Sequence, residues 1–269
     1  MGPHLEQGND MPERTSYAQG TPSWVDLPTT DQNAAKAFYA GVFGWTYDDQ
    51  PMGEGAVYSL AKVRGHDVAA ISPQPPEMAA TGAPPMWNTY ITVDSADDAA
   101  AKIGAAGGKV LMEPFDVMEA GRMVFAMDPG GAMVAFWQPN QHIGAGLVNE
   151  PGAITWNELI TTDPSSAKFY EQVAGMTTST MDMGQGEYTL FNVGDQMVGG
   201  TTPPQVPGTP NHWEVYFAVD DADATAAKIL DLGGNVLVAP FDTPVGRIAV
   251  AQDPQGAVFS FMKNAPQPG

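Results

Sequence analysis

The stretch WVDLPTTDQNAAKAFY, Trp24 to Tyr39, returns as WNELITTDPSSAKFY, Trp156 to Tyr170, with one residue lost inside the second copy. Trp24, Asp31 and Tyr39 answer to Trp156, Asp163 and Tyr170. The correspondence continues outward. Val57-Tyr58-Ser59-Leu60 answers to Glu187-Tyr188-Thr189-Leu190, WNTYITVDSADDAAAKI from Trp87 to WEVYFAVDDADATAAKI from Trp213, and GGKVLMEPFD from Gly107 to GGNVLVAPFD from Gly233. Gly121-Arg122 matches Gly246-Arg247, and the copies close on DPGGAMVAFW and DPQGAVFSFM. Spacing held through a whole module excludes chance similarity, so the chain is one unit written twice.

Each copy reads as strands and helices in a fixed order. The short alternating run around Trp24-Val25-Asp26-Leu27 is a strand. Thr30-Asp31 caps an Ala-rich helix from Gln32 to about Val42, and Gly44 stops it. Val57 to Lys62 and Asp67 to Ile71 are short strands with a Gly turn between them, and a Pro-rich loop follows. Met86 to Val93 is a strand, Ser95 to Ala106 a helix, and three more strands run to Gln138. The order is βαβββ twice per repeat, four such units in all, which makes the class α+β. The expected organisation is a disordered leader over 1–19, a first module over 20–138, a linker over 139–152, a second module over 153–264 and a tail over 265–269. Gly107-Gly108 and Gly233-Gly234 follow helices and read as helix stops rather than as phosphate loops.

The chain's 269 residues suffice for two cores. Its formal charge is −20, from 11 Lys+Arg against 31 Asp+Glu. Without a basic cluster to displace counterions, nucleic acid and anionic membrane are not expected partners. The absence of cysteine removes disulfides, thiol nucleophiles and Cys-based zinc sites. No run approaches the roughly 20 apolar residues of a membrane span, and the first residues carry no apolar core, so a cytoplasmic location is expected. Ser23, Ser59 and Ser260 have no accompanying His–Asp pattern, which leaves a serine hydrolase unsupported.

The quoted motifs, TTD followed by FY in each half, VDxxDxxxAK and the terminal DPxGA, resemble the vicinal oxygen chelate superfamily of glyoxalases, bleomycin-resistance proteins and dioxygenases. Within it they are similar to a tandem actinobacterial glyoxalase-like group. The resemblance implies that βαβββ units pair into U-shaped, mixed-sheet barrels with the ligand, and often a divalent metal, on the concave face. It also implies a monomer or a homodimer, since the duplication supplies the pairing that single-repeat relatives obtain by dimerising.

The family's metal positions fall on Trp24, Asn88 and Ala135 in the first copy and on Trp156, Glu214 and Ser260 in the second. An indole cannot ligate, and a tight first-row site needs three or four convergent N, O or S donors. No metal is therefore expected, and no cofactor is required. His212 with Glu214 and Glu158 could form only a weak set, and the plainer reading of His212 is a hydrogen-bonded residue opening a strand.

Strand alternation places Trp24 with Asp26, Trp156 with Glu158, Asn88 with Tyr90, and Glu214 with Tyr216 and His212. If these faces line the cavity, each offers an aromatic plate, a phenol and carboxylates, which suits a planar, partly polar ligand such as an antibiotic or a flavin-like molecule. A slip of one residue would instead turn both tryptophans to the helices. Asp26, Glu158 and Glu214 are the candidates for proton transfer in a glyoxalase-like lyase or isomerase. Arg122 and Arg247 are either a ligand's anion clamp or structural ion pairs. Met112, Met123, Met127 and Met133 read as core or as adaptable pocket lining.

Overall fold

The computed structural model describes residues 12–53, 55–80, 82–182 and 187–266. The first unit of the chain comprises β1 (Pro22–Thr29), α1 (Gln32–Phe43), β2 (Thr46–Gly53), β3 (Ala56–Val63) and β4 (His66–Pro73). A short helix α2 (Pro76–Ala80) interrupts the Pro-rich loop. The second has β5 (Asn88–Thr92), α3 (Ala96–Ile103), β6 (Lys109–Val117), β7 (Gly121–Met127) and β8 (Met133–Pro139). The second repeat gives β9 (Ile154–Ile160), α4 (Ser165–Ala174), β10 (Thr177–Asp182), β11 (Glu187–Val193) and β12 (Gln196–Thr202), then β13 (His212–Ala218), α5 (Ala222–Asp231), β14 (Asn235–Thr243), β15 (Gly246–Gln252) and β16 (Val258–Asn264). These are the four expected βαβββ units.

The helix signals act as their chemistry demands. The Asp31 side chain accepts from the Ala34 N–H, and Gly44 closes α1 in the left-handed region at φ 73°. Ser95 and Asp221 cap α3 and α5 in the same way. Helix α3 stops at Ile103, short of the expected Ala106, because Gly104 to Gly107 turn instead. Strand β2 lacks a hydrophobic alternation, so its sequence TYDDQPMG gave no signal; it is an exposed edge strand.

The strands form two eight-stranded mixed sheets, β2-β3-β4-β1-β5-β8-β7-β6 and β10-β11-β12-β9-β13-β16-β15-β14. The pairs β1–β4, β5–β8, β9–β12 and β13–β16 are parallel, as the crossover helices require.

Packing divides the chain differently from the repeat. One compact unit holds residues up to Ser23, Tyr90–Ile143 and Glu158–His212; the other holds Trp24–Thr89, Gly144–Asn157 and Trp213–Gly269. Each therefore joins one βαβββ from each repeat. In the first, Phe169 of α4 packs on Phe136 of β8, and the Tyr170 hydroxyl donates to Asp128, 3.2 Å away. In the second, Phe38 and Tyr39 of α1 pack on Phe259 of β16, and the Tyr39 hydroxyl donates to Asp253, also at 3.2 Å. The Phe-Tyr pair of one repeat thus meets the Asp-Pro turn of the other. The paired glycines do more than stop helices. A Cβ on Gly108 would lie 2.5 Å from the Phe169 ring, and one on Gly234 2.9 Å from Phe38. Only glycine admits that approach.

Within the segment expected to be a leader, Gln19 and Tyr17 make contacts with the rest of the protein. Gln19 accepts from the Asp94 N–H at 3.2 Å, and burial raises the Tyr17 phenol above its usual range. Residues 1–11 lie outside the described residues.

Candidate functional site

The helices settle which face is which. Gln32 of α1 donates to Ser59 Oγ at 3.1 Å, and Ser59 stands in register with Ile71, which pairs with Leu27. Leu27 therefore faces α1, while Trp24 and Asp26 point away. On β13 and β16, Phe217 packs on Phe43 and Phe259 on Phe38, so Glu214, Tyr216 and Ser260 also point away from the helices. Phe136 against Phe169 does the same for Tyr90 and Ala135. The one-residue slip that would have reversed these positions does not occur.

In the second compact unit, four side chains from β1, β3 and β5 meet on this helix-free face. Trp24 Nε1 donates to the Tyr58 hydroxyl at 2.9 Å. That hydroxyl donates to Asp26 Oδ2 at 3.1 Å, and Asn88 Nδ2 donates to Asp26 Oδ1 at 2.8 Å. Burial, with the Asp26 charge beside it, pushes the Tyr58 phenol well above its ordinary range, so it stays a donor. Asp26 is buried and held by neutral donors on both oxygens. Trp24 is only 3% exposed, so in this conformation its indole is part of the floor rather than an open plate.

The same unit carries part of the second module's face. Ser260 Oγ donates to Glu214 Oε1 at 2.8 Å, both buried. A registered row, Tyr216–Ser260–Val250–Val238, leads from that pair to the sheet edge, with Phe241 and Ile248 paired beside it. Val238 is 42% exposed and Phe241 46%, and Tyr216 and Trp156 are half-buried. This surface is apolar and open to solvent at the edge, with a carboxylate and a hydroxyl at its base.

The first compact unit has a helix-free face of its own. Tyr90, Ala135, Phe125 and Met112 form a registered row, with the Tyr90 and Phe125 rings 6.0 Å apart. Glu158 stands in register with Gly200, and the Tyr188 hydroxyl lies over that glycine. Tyr58 and Tyr188 were not singled out from the sequence. Their equivalent positions in the two copies, on strands that alternate, were the signal. Of the methionines, Met123 is core and Met112 is exposed on the row just described.

Two expected ligand contacts are corrected. Arg122 is bound on one side by Asp97, at 2.9 and 3.0 Å, and on the other by Asp116 at 2.9 Å. Arg247 repeats this with Asp223, at 2.8 and 2.9 Å, and Asp242 at 3.0 Å. Each guanidinium fork is already spanned by two carboxylates, which leaves the ion-pair reading and not the ligand clamp. His212 opens β13, and its Nδ1 lies 2.8 Å from the Pro210 carbonyl oxygen.

A divalent metal does not fit the residues at the family's metal positions. In the first module they offer an indole N–H engaged with Tyr58, an amide N turned to Asp26, and Ala135. In the second they offer an indole, and Glu214 with Ser260 bonded to it. Among the described residues no three His, Asp or Glu side chains group to hold a metal.

Comparison with known proteins agrees with this architecture. The family model described as the Glyoxalase/Bleomycin resistance protein/Dioxygenase superfamily matches residues 21–136 and 153–261. "Putative glyoxylase CFP32" of Mycobacterium bovis is 57% identical over 96% of this chain and all of its own length. "Anthracycline biosynthesis protein DnrV" of Streptomyces peucetius is 36% identical over 93% of this chain and 95% of its own. The Mn(II)-bound glyoxalase of Novosphingobium aromaticivorans shares the fold, with a TM-score of 0.63 at 19% identity, over 91% of this chain and 82% of that one.

Proposed function

The chain belongs to the Glyoxalase/Bleomycin resistance protein/Dioxygenase superfamily, and on that footing we propose that it binds a planar, partly polar small molecule on the helix-free faces of its sheets without using a metal. The carrying observation is the Trp24–Tyr58–Asp26–Asn88 network, which engages in hydrogen bonds Trp24 and Asn88, two of the residues at the family's metal positions. The open, apolar Tyr216–Val250–Val238 row ending on Glu214 and Ser260 supplies area for a flat ring system and polar groups to orient it. That one relative is named for anthracycline biosynthesis favours a fused-ring ligand of antibiotic type over a flavin. The test is a tryptophan-fluorescence titration with an anthracycline and, for comparison, riboflavin, on the chain and on Trp156→Phe. Saturable quenching by the anthracycline, reduced in the variant, supports the reading; no quenching by either compound rejects it.

A second reading follows the name of the 57% identical relative. There the buried carboxylates move a proton in a glyoxalase-like lyase or isomerase reaction, with Glu214 as base, oriented by Ser260, and Asp26 or Glu158 as alternatives. Turnover of an α-oxoaldehyde–thiol adduct that is lost in Glu214→Gln, with folding intact, distinguishes it from plain binding.

A further inference from the structure

Away from these faces, the second compact unit has a surface groove of about 580 Å³. Val42 and Phe43 at the end of α1 form its apolar floor, Pro151 one wall, and Asp220, Asp221, Asp231 and Lys228 of the α5 segment its rim, three acids against one lysine.

The other compact unit contains the equivalent backbone frame, with the Gln19 side chain laid on it. The backbone frames match bond for bond. Gly20 N donates to Thr92 O at 2.8 Å, as Gly152 N does to Ala218 O at 2.8 Å. Val93 N donates to Trp137 O at 2.8 Å, as Val219 N does to Met262 O at 2.9 Å. Before Gly20 stands Gln19, whose Oε1 takes the Asp94 N–H and whose Nε2 lies against Gly175, the cap of α4. Before Gly152 stands Pro151. Proline has no carboxamide, so the Asp220 N–H, equivalent to that of Asp94, receives no acceptor from this position. Where the first unit holds Ala174, Ser95 and Ala105, the second has Phe43, Asp221 and Asp231. With Asp98 answering to Ala224 and Lys102 to Lys228, the changes add an apolar floor and one net negative charge.

The groove therefore asks for an acceptor at Asp220 N–H and for donors along its rim. A carboxylate or phosphate would meet the three acids. An ammonium alone has no acceptor to give. A carboxamide has both an acceptor and two donors, and an adjoining cation complements the rim. We propose that this groove docks a partner polypeptide segment presenting a glutamine side chain next to lysine or arginine, the glutamine taking the place that Gln19 fills in the other unit.

The test uses the full chain, isotopically labelled, and the synthetic peptide YAQGKKA. Saturable amide shifts centred on Asp220 and Asp221 are expected, with at least tenfold weaker binding when glutamate replaces the peptide's glutamine. Pro151→Gln should fill the groove, weaken peptide binding at least tenfold and raise the melting temperature. Should that variant fold poorly, Asp231→Lys on the exposed rim should weaken binding severalfold. Absence of saturable shifts at those amides, equal affinity for the glutamate peptide, or unchanged affinity in the variants overturns the proposal. So do concentration-dependent shifts of the same amides without peptide, which would make the occupant a second copy of the chain.

Discussion

The Tyr39 hydroxyl donates to the Asp253 carboxylate across 214 positions of sequence, and Tyr170 makes the same bond to Asp128. Each bond ties the helix of one repeat to the turn of the other inside a single compact unit. Removing either hydroxyl leaves a buried carboxylate short of a donor. Tyr39→Phe and Tyr170→Phe are each expected to lower unfolding free energy by about 1–3 kcal/mol, measured by urea denaturation. Similar losses in the two variants follow from the matched geometry.

Those two carboxylates also shape the pH response. Burial raises the pKa of Asp128 and of Asp253, against the lowering effect of their hydrogen bonds. Between the unfolded value, about 4, and the raised folded value, the native state holds protons that the unfolded state has released. Their contribution is thus fully present below the unfolded value and is lost as pH rises through the folded one. Asp253→Asn and Asp128→Asn should each remove part of that decline. Subtracting each variant's stability-against-pH curve from that of the parent should show a difference that falls from about pH 4 upward and then levels; a flat difference contradicts the assignment.

Tyr58 stands between Trp24 and Asp26. Tyr58→Phe deprives both of a partner and should cost about 1–3 kcal/mol, with a shift in tryptophan emission as the Trp24 indole loses its acceptor. Asn88→Ala should cost a similar amount while leaving the emission unchanged, because it touches only Asp26. Denaturation and emission spectra of the two variants separate these effects.

Arg122 and Arg247 lie in exposed ion pairs, where solvent and salt screen the charges. Arg122→Ala and Arg247→Ala should therefore change stability little, and less at high salt. Ligand affinity should not change, whereas Phe241→Asp, on the exposed end of the open row, should weaken binding at least tenfold without loss of stability.

Much of this was legible in the residues. The repeat gave the four βαβββ units, Asp31, Ser95 and Gly44 gave helix ends, and alternation gave the face of Trp24, Asp26, Glu214 and Tyr216. Three features were not. Strand β2 is polar and carries Pro51, so nothing in TYDDQPMG alternates; its partner β3 makes it a strand. The Tyr–Asp bonds join residues far apart in sequence, and a repeat cannot show that its halves pack crosswise. Trp24 looks like an open plate in a list of residues, yet it is closed by Tyr58 and its surroundings, because burial is a property of packing and not of alternation.

Binding without a metal is tested by anthracycline titration of the purified chain before and after exhaustive chelation, with metal content determined on the same samples. Metal well below one equivalent and the same dissociation constant in both titrations are expected. A stoichiometric metal whose removal abolishes binding would contradict metal-independent binding.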